Sequence, residues 1–328
     1  GDAIMATTLI RMKQEGFKPD RDIILALTAD EELSDSPHDG AHWLIDHHRD
    51  LIDAGLAINE GGGGALRDGK PVRLSVHLAE KIYQSYRLEV KNPGGHSATP
   101  QRENAIYRLA QGLGRIAKFD FPVSLNPVTR AYFERIAATE QGDVAAAIKP
   151  LLAGSTDAAA LAPLTERPTM NNQIRTTCVA TMLQAGDARN ALPKRATANI
   201  NCRVFPGVSI ASVQDQLAKA IADSNVKIKV RQPPPVESPA SPLRPDVMRA
   251  IAATVHERYP GLDIVPAMSS GATDSMYFRN AGVPCYGVDP DFAIPGSAHA
   301  HGRNERLLAT EVPAALNFWH RLLTRLTK

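Results

Sequence analysis

The sequence has little cysteine. Its three, Cys178, Cys202 and Cys285, are odd in number and far apart. They show no C-x-x-C spacing, so neither a disulfide framework nor a thiolate zinc site is suggested, and buried free thiols are expected. Long apolar runs are missing too. None approaches the roughly 18 residues that a membrane span needs. Charge of one sign is also lacking: 37 basic side chains stand against 35 acidic ones, a formal charge of +2. That balance argues against nucleic acid or an anionic membrane as a partner, since either favours a clustered basic surface. No signal peptide is visible. The chain begins Gly1-Asp2 without Met and enters a helical pattern at once, so an upstream segment is expected to be absent, and the compartment stays open. What remains is the composition of a soluble globular protein, 43% hydrophobic and 22% charged, long enough at 328 residues for two domains.

Met5, Leu9 and Met12 recur at helical spacing over 3–15, and Gly16 follows as a stop. The run from Asp22 to Ala29 is continuously apolar after its first residue and reads as a strand buried on both faces, the habit of a parallel sheet. A helix is expected over 40–52 and a second buried strand at 56–58, ending in Asn59-Glu60 and four glycines. This alternation indicates an α/β layer. Near residue 82 the pattern changes. Ile82, Tyr86, Leu88 and Val90 interleave with polar neighbours, which suits an antiparallel strand with one wet face. A helix at 103–118, with Ile106, Leu109, Leu113 and Ile116 on its stripe, strands at 173–184 and 195–205, a helix at 209–222 and a strand at 226–230 follow. The order β-α-β-β-α-β is that of a ferredoxin-like unit, with an Ala-rich, partly helical insertion at about 120–170. A proline-rich connector at 232–245 marks a boundary. Beyond it a helix at 246–258, a strand at 283–288 and a closing amphipathic helix at 310–326 resume the first style. A small domain at 82–233 is thus expected inside a larger one made of 1–81 and 234–328.

Three clusters able to do chemistry fall at strand ends or in loops: Glu31-Glu32, Glu60, and His299-Ala300-His301. In open α/β sheets the site lies beyond the carboxyl ends of the strands. Zinc accepts Glu oxygen and His nitrogen, and a catalytic zinc site adds a base that activates water. Two adjacent glutamates could divide those tasks. Each signal alone also fits solvated surface residues. Of the other candidates, the run Gly61–Gly64 lacks a Gly-Lys-Ser/Thr ending and reads as a flexible turn, His47 and His48 as solvated, and Asp289 and Asp291 as loop carboxylates without a role.

The motifs carry the reading further. Thr28-Ala-Asp-Glu-Glu32, Asn59-Glu-Gly-Gly62, Gly94-Gly-His-Ser-Ala-Thr-Pro100, Asn190-Ala-Leu-Pro193, Asn201-Cys-Arg-Val204, Gly271-Ala-Thr-Asp274 and His301-Gly-Arg-Asn-Glu305 occur in this order. With them the chain resembles, over nearly its whole length, the zinc aminoacylase/carboxypeptidase family. The resemblance implies an α/β zinc-exopeptidase-like catalytic domain with a mostly parallel sheet, and an inserted α+β ferredoxin-like lid that also dimerises. Residue by residue, it implies that Glu31 is the general base and that Glu32 and His301 bind one zinc and Glu60 the other. His96 would stabilise the oxyanion in the neighbouring subunit's site, while Arg203 and Asn190, beside the loop of Gly271, Thr273 and Asp274, would hold the substrate carboxylate. A guanidinium also suits that task on its own chemistry, gripping a carboxylate bidentately. The implied substrate is a small peptide or N-acyl amino acid, and the implied assembly a homodimer. The chain departs from the pattern in one respect. The first ligand, in a His-x-Asp motif, and the bridging Asp are missing, so of five protein ligands for two zinc ions it offers three. The favoured function is hydrolysis of an amide bond next to a free carboxylate. The rival is an inactive homologue or truncated fragment that keeps the fold as a binding or dimerisation module.

Overall fold

The computed structural model describes residues 1–328 apart from 34, 35, 37, 232–235 and 294–301. His299 and His301, and the first residues of the proline-rich connector, therefore lie outside the described residues. Helix α1 (Asp2–Gln14) ends ahead of Gly16, whose φ of +70° closes it, as expected. The run 22–29 does not form the expected strand. No strand among the described residues lies beside it, and Ile24 and Leu27 are about half exposed. An apolar run forms a buried strand only where neighbours take up its backbone groups. Asp39 caps α2 (Gly40–His47) by accepting from the His42 amide at 2.8 Å, and α3 (Arg49–Ile52) completes the expected helical stretch.

Strand β1 (Ala57–Asn59) leads to a hairpin of β2 (Gly63–Arg67) and β3 (Lys70–Glu80). Its turn, Asp68-Gly69, has both residues at positive φ, the tight turn that matches strand twist. The glycine run is thus no flexible turn. A Cβ at Gly62 would sit 2.2 Å from the Ser75 carbonyl oxygen, so β2 can approach β3 only with glycine there. Next come β4 (Ile82–Lys91), β5 (Gly95–His96) and α4 (Ala105–Ile116). The insertion forms α5 (Pro127–Ile136), α6 (Gly142–Leu152), α7 (Ala158–Thr165) and α8 (Pro168–Asn171). After it run β6 (Thr177–Ala185), β7 (Ala191–Leu192), β8 (Arg195–Val204), α9 (Ile210–Ile221) and β9 (Lys227–Val230). The chain closes with α10 (Pro245–Arg258), β10 (Asp263–Ser269), α11 (Ser275–Asn280), β11 (Cys285–Gly287), β12 (Phe292–Ala293) and α12 (Glu311–Leu326).

The larger sheet runs β1-β11-β3-β2-β12, with β10 also on β3. Its β1·β11, β10·β3 and β12·β2 pairs are parallel, and the two pairs that β3 makes with β11 and β2 are antiparallel. Leu74, Val76 and Leu78 of β3 pack with Val247, Ile251 and Val255 of α10 and with Phe318, Trp319 and Leu322 of α12. The smaller sheet, β6-β8-β4-β9, is antiparallel throughout, the strand order of the ferredoxin-like unit. One face is covered by α4 and α9: Tyr86, Leu88, Ala198 and Ile200 meet Leu109, Leu217 and Ile221. Ile106, expected on the buried stripe of α4, is 40% exposed, and Ala105 and Gly112 take its place inside. The inserted helices pack away from this unit, onto β10. Phe133, Ile148, Leu151 and Leu164 share a core with Val265 and Ala267, and the Gln173 amide donates to the Met268 carbonyl at 2.9 Å.

The cysteines differ from expectation. Cys178 of β6 and Cys202 of β8 are register partners and form a disulfide, leaving only Cys285 free and buried. Sequence spacing hid this because the pairing depends on strand register, which brings residues 24 apart to face each other.

Candidate active site

Three hydrogen bonds gather the acidic segments. The Thr28 hydroxyl donates to Asp274 Oδ2 at 2.8 Å, tying the Glu31-Glu32 segment to the loop 271–274. The Asn59 side-chain amide donates to the hydroxyls of Thr273, at 3.3 Å, and Ser275, at 3.1 Å, tying the Glu60 segment to the same loop. Asp30, just before Glu31, has φ of +70°, a conformation that an L-residue holds only when its surroundings over-determine it. The Ser36 hydroxyl, donating to Asp30 Oδ2 at 2.7 Å, is one such restraint.

The carboxylates feel one another. Burial, then the charges of Glu60, Asp274, Glu32 and Asp39, push Glu31 up to about 7. Burial, then Glu32 and Asp289, raise Glu60. Asp274 is pushed up to about 7 by burial and by Asp39, against the pull of the Thr28 hydroxyl. Both Asp39 and Asp274 are buried, at 6% exposure each, and Asp274 Oδ1 has no donor among the described residues.

Gathered carboxylates whose charges oppose one another are the donor chemistry of a divalent cation. Among the described residues no three of His, Cys, Asp or Glu are grouped closely enough to hold a metal ion. The carboxylates fit a metal in kind, and His301 lies outside the described residues.

The remaining predicted residues sit on or beside the smaller sheet. His96 on β5 pairs with Ala191 on β7, and the Ser97 amide donates to the Asn190 carbonyl at 3.0 Å, so His96 and Asn190 share one exposed ribbon. His96 Nδ1 accepts from the Ala98 amide at 3.1 Å, which places the ring proton on Nε2. The helix that follows is capped by Asn104, whose side chain accepts from the Ile106 and Tyr107 amides, and not by His96. Arg203 stands between Tyr83 and Thr177 across the strands, its guanidinium 4.9 Å from the Tyr83 ring centroid. It has no carboxylate partner among the described residues, and burial pulls its pKa down. No described contact joins His96, Asn190 or Arg203 to the carboxylates. Thr273 is a tie rather than a free group: its hydroxyl donates to Glu80 Oε1 at 2.6 Å. Gly271 turns its amide onto the Ser269 hydroxyl at 3.0 Å.

Sequence reasoning missed four buried polar groups here. Asp39 reads as a helix cap and nothing more. Glu80 and Arg279 form an ion pair at 2.5 Å, both under 3% exposed at the side chain, which anchors Thr273 from behind. Lys81 is 1% exposed and donates to the Arg175 carbonyl at 2.7 Å and to the Thr177 hydroxyl at 3.2 Å. The adjacent pair Glu80-Lys81 between two apolar strands was the available signal, since charged residues are almost never fully buried without partners.

The sequence pattern of peptidase family M20/M25/M40 matches residues 1–325. Over 324 residues the chain is 26% identical to the N-fatty-acyl-amino acid synthase/hydrolase PM20D1.1 of Danio rerio, covering 94% of this chain and 61% of that protein. Over 328 residues it is 28% identical to the probable carboxypeptidase S-like 2 of Dictyostelium discoideum, covering 96% and 61%. A solved M20 family metallo-carboxypeptidase, Sso-CP2 from Sulfolobus solfataricus, superposes with a TM-score of 0.59 at 16% identity, covering 90% of this chain and 68% of that one. That likeness speaks for the fold. The chain spans about 61% of the length of these curated relatives.

Proposed function

The chain belongs to peptidase family M20/M25/M40, and from that premise we propose that its protein hydrolyses an amide bond next to a free carboxylate, in an N-acyl amino acid or at the C-terminus of a peptide. The observation that carries this reading is the tying of the Glu31-Glu32 and Glu60 segments to the single loop 271–274 through Thr28–Asp274 and Asn59–Thr273. Zinc is the cofactor in this proposal, with Glu32, Glu60 and His301 among its ligands; when bound it supplies positive charge that polarises the scissile carbonyl.

The chain's own groups do the rest. Glu31 takes a proton from the attacking water as its oxygen bonds to the amide carbon. It then hands that proton to the nitrogen as the carbon–nitrogen bond breaks. His96, protonated on Nε2, donates to the oxygen on which negative charge develops. Arg203, without a carboxylate of its own, grips the substrate carboxylate, with Asn190 and the 271–274 loop beside it. The working unit is a homodimer in which His96 serves the partner's site, because His96 sits on the lid ribbon while Glu31 and Glu60 sit on the larger unit. The exposed edge strand β6, where Val179, Met182 and Leu183 are all more than half exposed, is a surface such pairing would cover.

The test mixes two variants of the complete gene product, His96→Ala and Glu31→Gln, each inactive alone. Subunit exchange should restore hydrolysis, since one site in a mixed dimer keeps both groups. Silence despite proven exchange would remove His96 from the partner's site. Among the described residues no three donors are grouped as a metal site, and one rival reading is a catalytically silent binding or dimerisation module with the same fold. Wild-type protein loaded with zinc that cleaves none of a panel of N-acyl amino acids and dipeptides would establish the rival.

A further inference from the structure

The guanidinium proposed to hold the substrate carboxylate has two neighbours that still lack a role. Arg203, Tyr83 and Thr177 are register partners across β8, β4 and β6, so their side chains leave the sheet on one face. It is the face turned away from α4 and α9, because the adjoining pair, Cys202 and Cys178, packs with the core that those helices cover. Lys81 enters this face from the junction of β3 and β4. Its ammonium donates to the Thr177 hydroxyl oxygen at 3.2 Å and to the Arg175 carbonyl at 2.7 Å, which uses two of its three protons. Thr177 is half-buried and opens β6, ahead of the exposed residues from Val179 onward that a partner subunit would cover. Its hydroxyl is turned onto Lys81 rather than along that edge.

Arg203 and Lys81 are two neighbouring cations, and neither has a carboxylate partner among the described residues. The other groups around Lys81 are engaged. Glu80 is held by Arg279, and the Arg175 guanidinium by Asp120 at 3.2 Å. Tyr83 lies under the Arg203 guanidinium, and β10 meets Lys81 through the Ser269 carbonyl, which accepts from its amide at 3.0 Å. Lys81 is 1% exposed, and a buried cation is rarely left with neutral acceptors alone. The Thr177 oxygen is spent as an acceptor, while its own proton has no acceptor among the described residues. A cation on that oxygen polarises the hydroxyl and makes it a better donor. A polarised donor beside an unpaired guanidinium, with a second cation behind it, suits one carboxylate.

We propose that Thr177 is a second donor to the substrate carboxylate, beside Arg203, and that Lys81 is the positioning residue beneath it, fixing the Thr177 hydroxyl and supplying a second positive charge. This rests on the proposed hydrolysis next to a free carboxylate. A mere tie between β4 and the segment 175–177 would instead treat a carboxylate and its neutral amide alike.

Isothermal titration calorimetry provides the test, on the complete, zinc-loaded protein carrying Glu31→Gln so that the ligand is not consumed. It compares N-acetyl-leucine with N-acetyl-leucinamide, and the acid should bind more tightly. Thr177→Val should cut that preference by about tenfold or more, the usual loss with a charge-assisted hydrogen bond, and Thr177→Ser should restore it. Lys81→Met should cut it comparably at pH 6 and little at pH 9. Burial, then the Arg203 charge, lower the Lys81 pKa to about 7, so most of its charge is already gone at pH 9. Binding of the amide should change in none of the variants. A preference that survives Thr177→Val, or that Lys81→Met leaves intact at pH 6, would overturn the proposal and leave the Arg203 reading standing. Equal weakening of acid and amide would overturn it as well, making the two residues a structural tie. Acid and amide bound alike by the parent, or neither bound, would remove the Arg203 reading itself and this proposal with it.

Discussion

Lys81 offers a perturbation whose size and sign follow from its surroundings. Burial, and secondarily the Arg203 charge, pull its pKa from 10.5 down to about 7. At about 1.4 kcal/mol for each tenfold change, that fall is a charging cost on the order of 5 kcal/mol in the folded state. The unfolded chain keeps its proton up to about pH 10.4, so between pH 7 and 10 the unfolded state binds more protons. Stability contributed by this group therefore rises with pH across that window, and the full cost is present below pH 7. Lys81→Met removes the charge but leaves the Arg175 carbonyl and Thr177 hydroxyl without their donor, a loss of about 1–3 kcal/mol. The variant should therefore be more stable than the parent by about 1–3 kcal/mol at pH 7. It should lose that advantage near pH 9 and fall slightly below the parent by about pH 10. Urea unfolding followed by tryptophan fluorescence, repeated across this range, measures both terms. Parallel pH dependences for parent and variant would refute the reasoning, because the sole titrating group removed is Lys81.

Further outcomes follow from the site and the fold. Glu31→Gln in the complete protein should leave zinc content intact and lower turnover by about a hundredfold or more, the general-base range; near-normal turnover would sink the assignment. Arg203→Ala should weaken carboxylate-bearing substrates strongly and their amidated analogues hardly at all, and equal losses would make Arg203 structural. This chain by itself should hold fewer than about one zinc ion, since a zinc site normally needs about three protein donors; two ions by elemental analysis would imply substitute ligands. Cys178→Ser with Cys202→Ser opens a loop with a sequence separation of 24 and should lower stability under oxidising conditions by about 3 kcal/mol, with no change under reducing ones.

How much of this was legible in the sequence depends on what each signal reports. Alternation reports burial on one face, and so β4 and β8, with helices on one side only, stood out: Ala196, Ala198, Ile200, Cys202 and Val204 are buried as their spacing required. The β2–β3 hairpin was hidden by Gly61–Gly64, which carry no hydropathy, although Asp68-Gly69 marked its turn. Strand β10 was hidden by Pro266, a residue that argues against a sheet interior. A continuous apolar run reports only that burial is favourable, and says nothing about whether a neighbour is there to bury it. The run 22–29 is the case in point: its composition was read correctly, yet the structure gives it no paired strand.

The same distinction separates the legible part of the site from the rest. Glu31 and Glu60 were expected at the ends of strands and the resemblance added Asp274, and Thr28 and Asn59 make the contacts that tie their segments together. The charges that support them lie inside elements. Glu80 ends β3 and Arg279 lies in α11, and either alone looks like a surface residue on the wet side of its element. Only the pairing of these two residues, far apart in the chain, makes them a buried ion pair behind Thr273. Breaking such a pair from one side leaves an uncompensated buried charge and costs about 3–5 kcal/mol, whereas an apolar replacement of both is often neutral. Arg279→Met should therefore be far more destabilising than Glu80→Met combined with Arg279→Met. If the double variant restores stability but not turnover, the pair serves to hold Thr273 in the site; if it restores both, the pair is a packing solution that the site does not need.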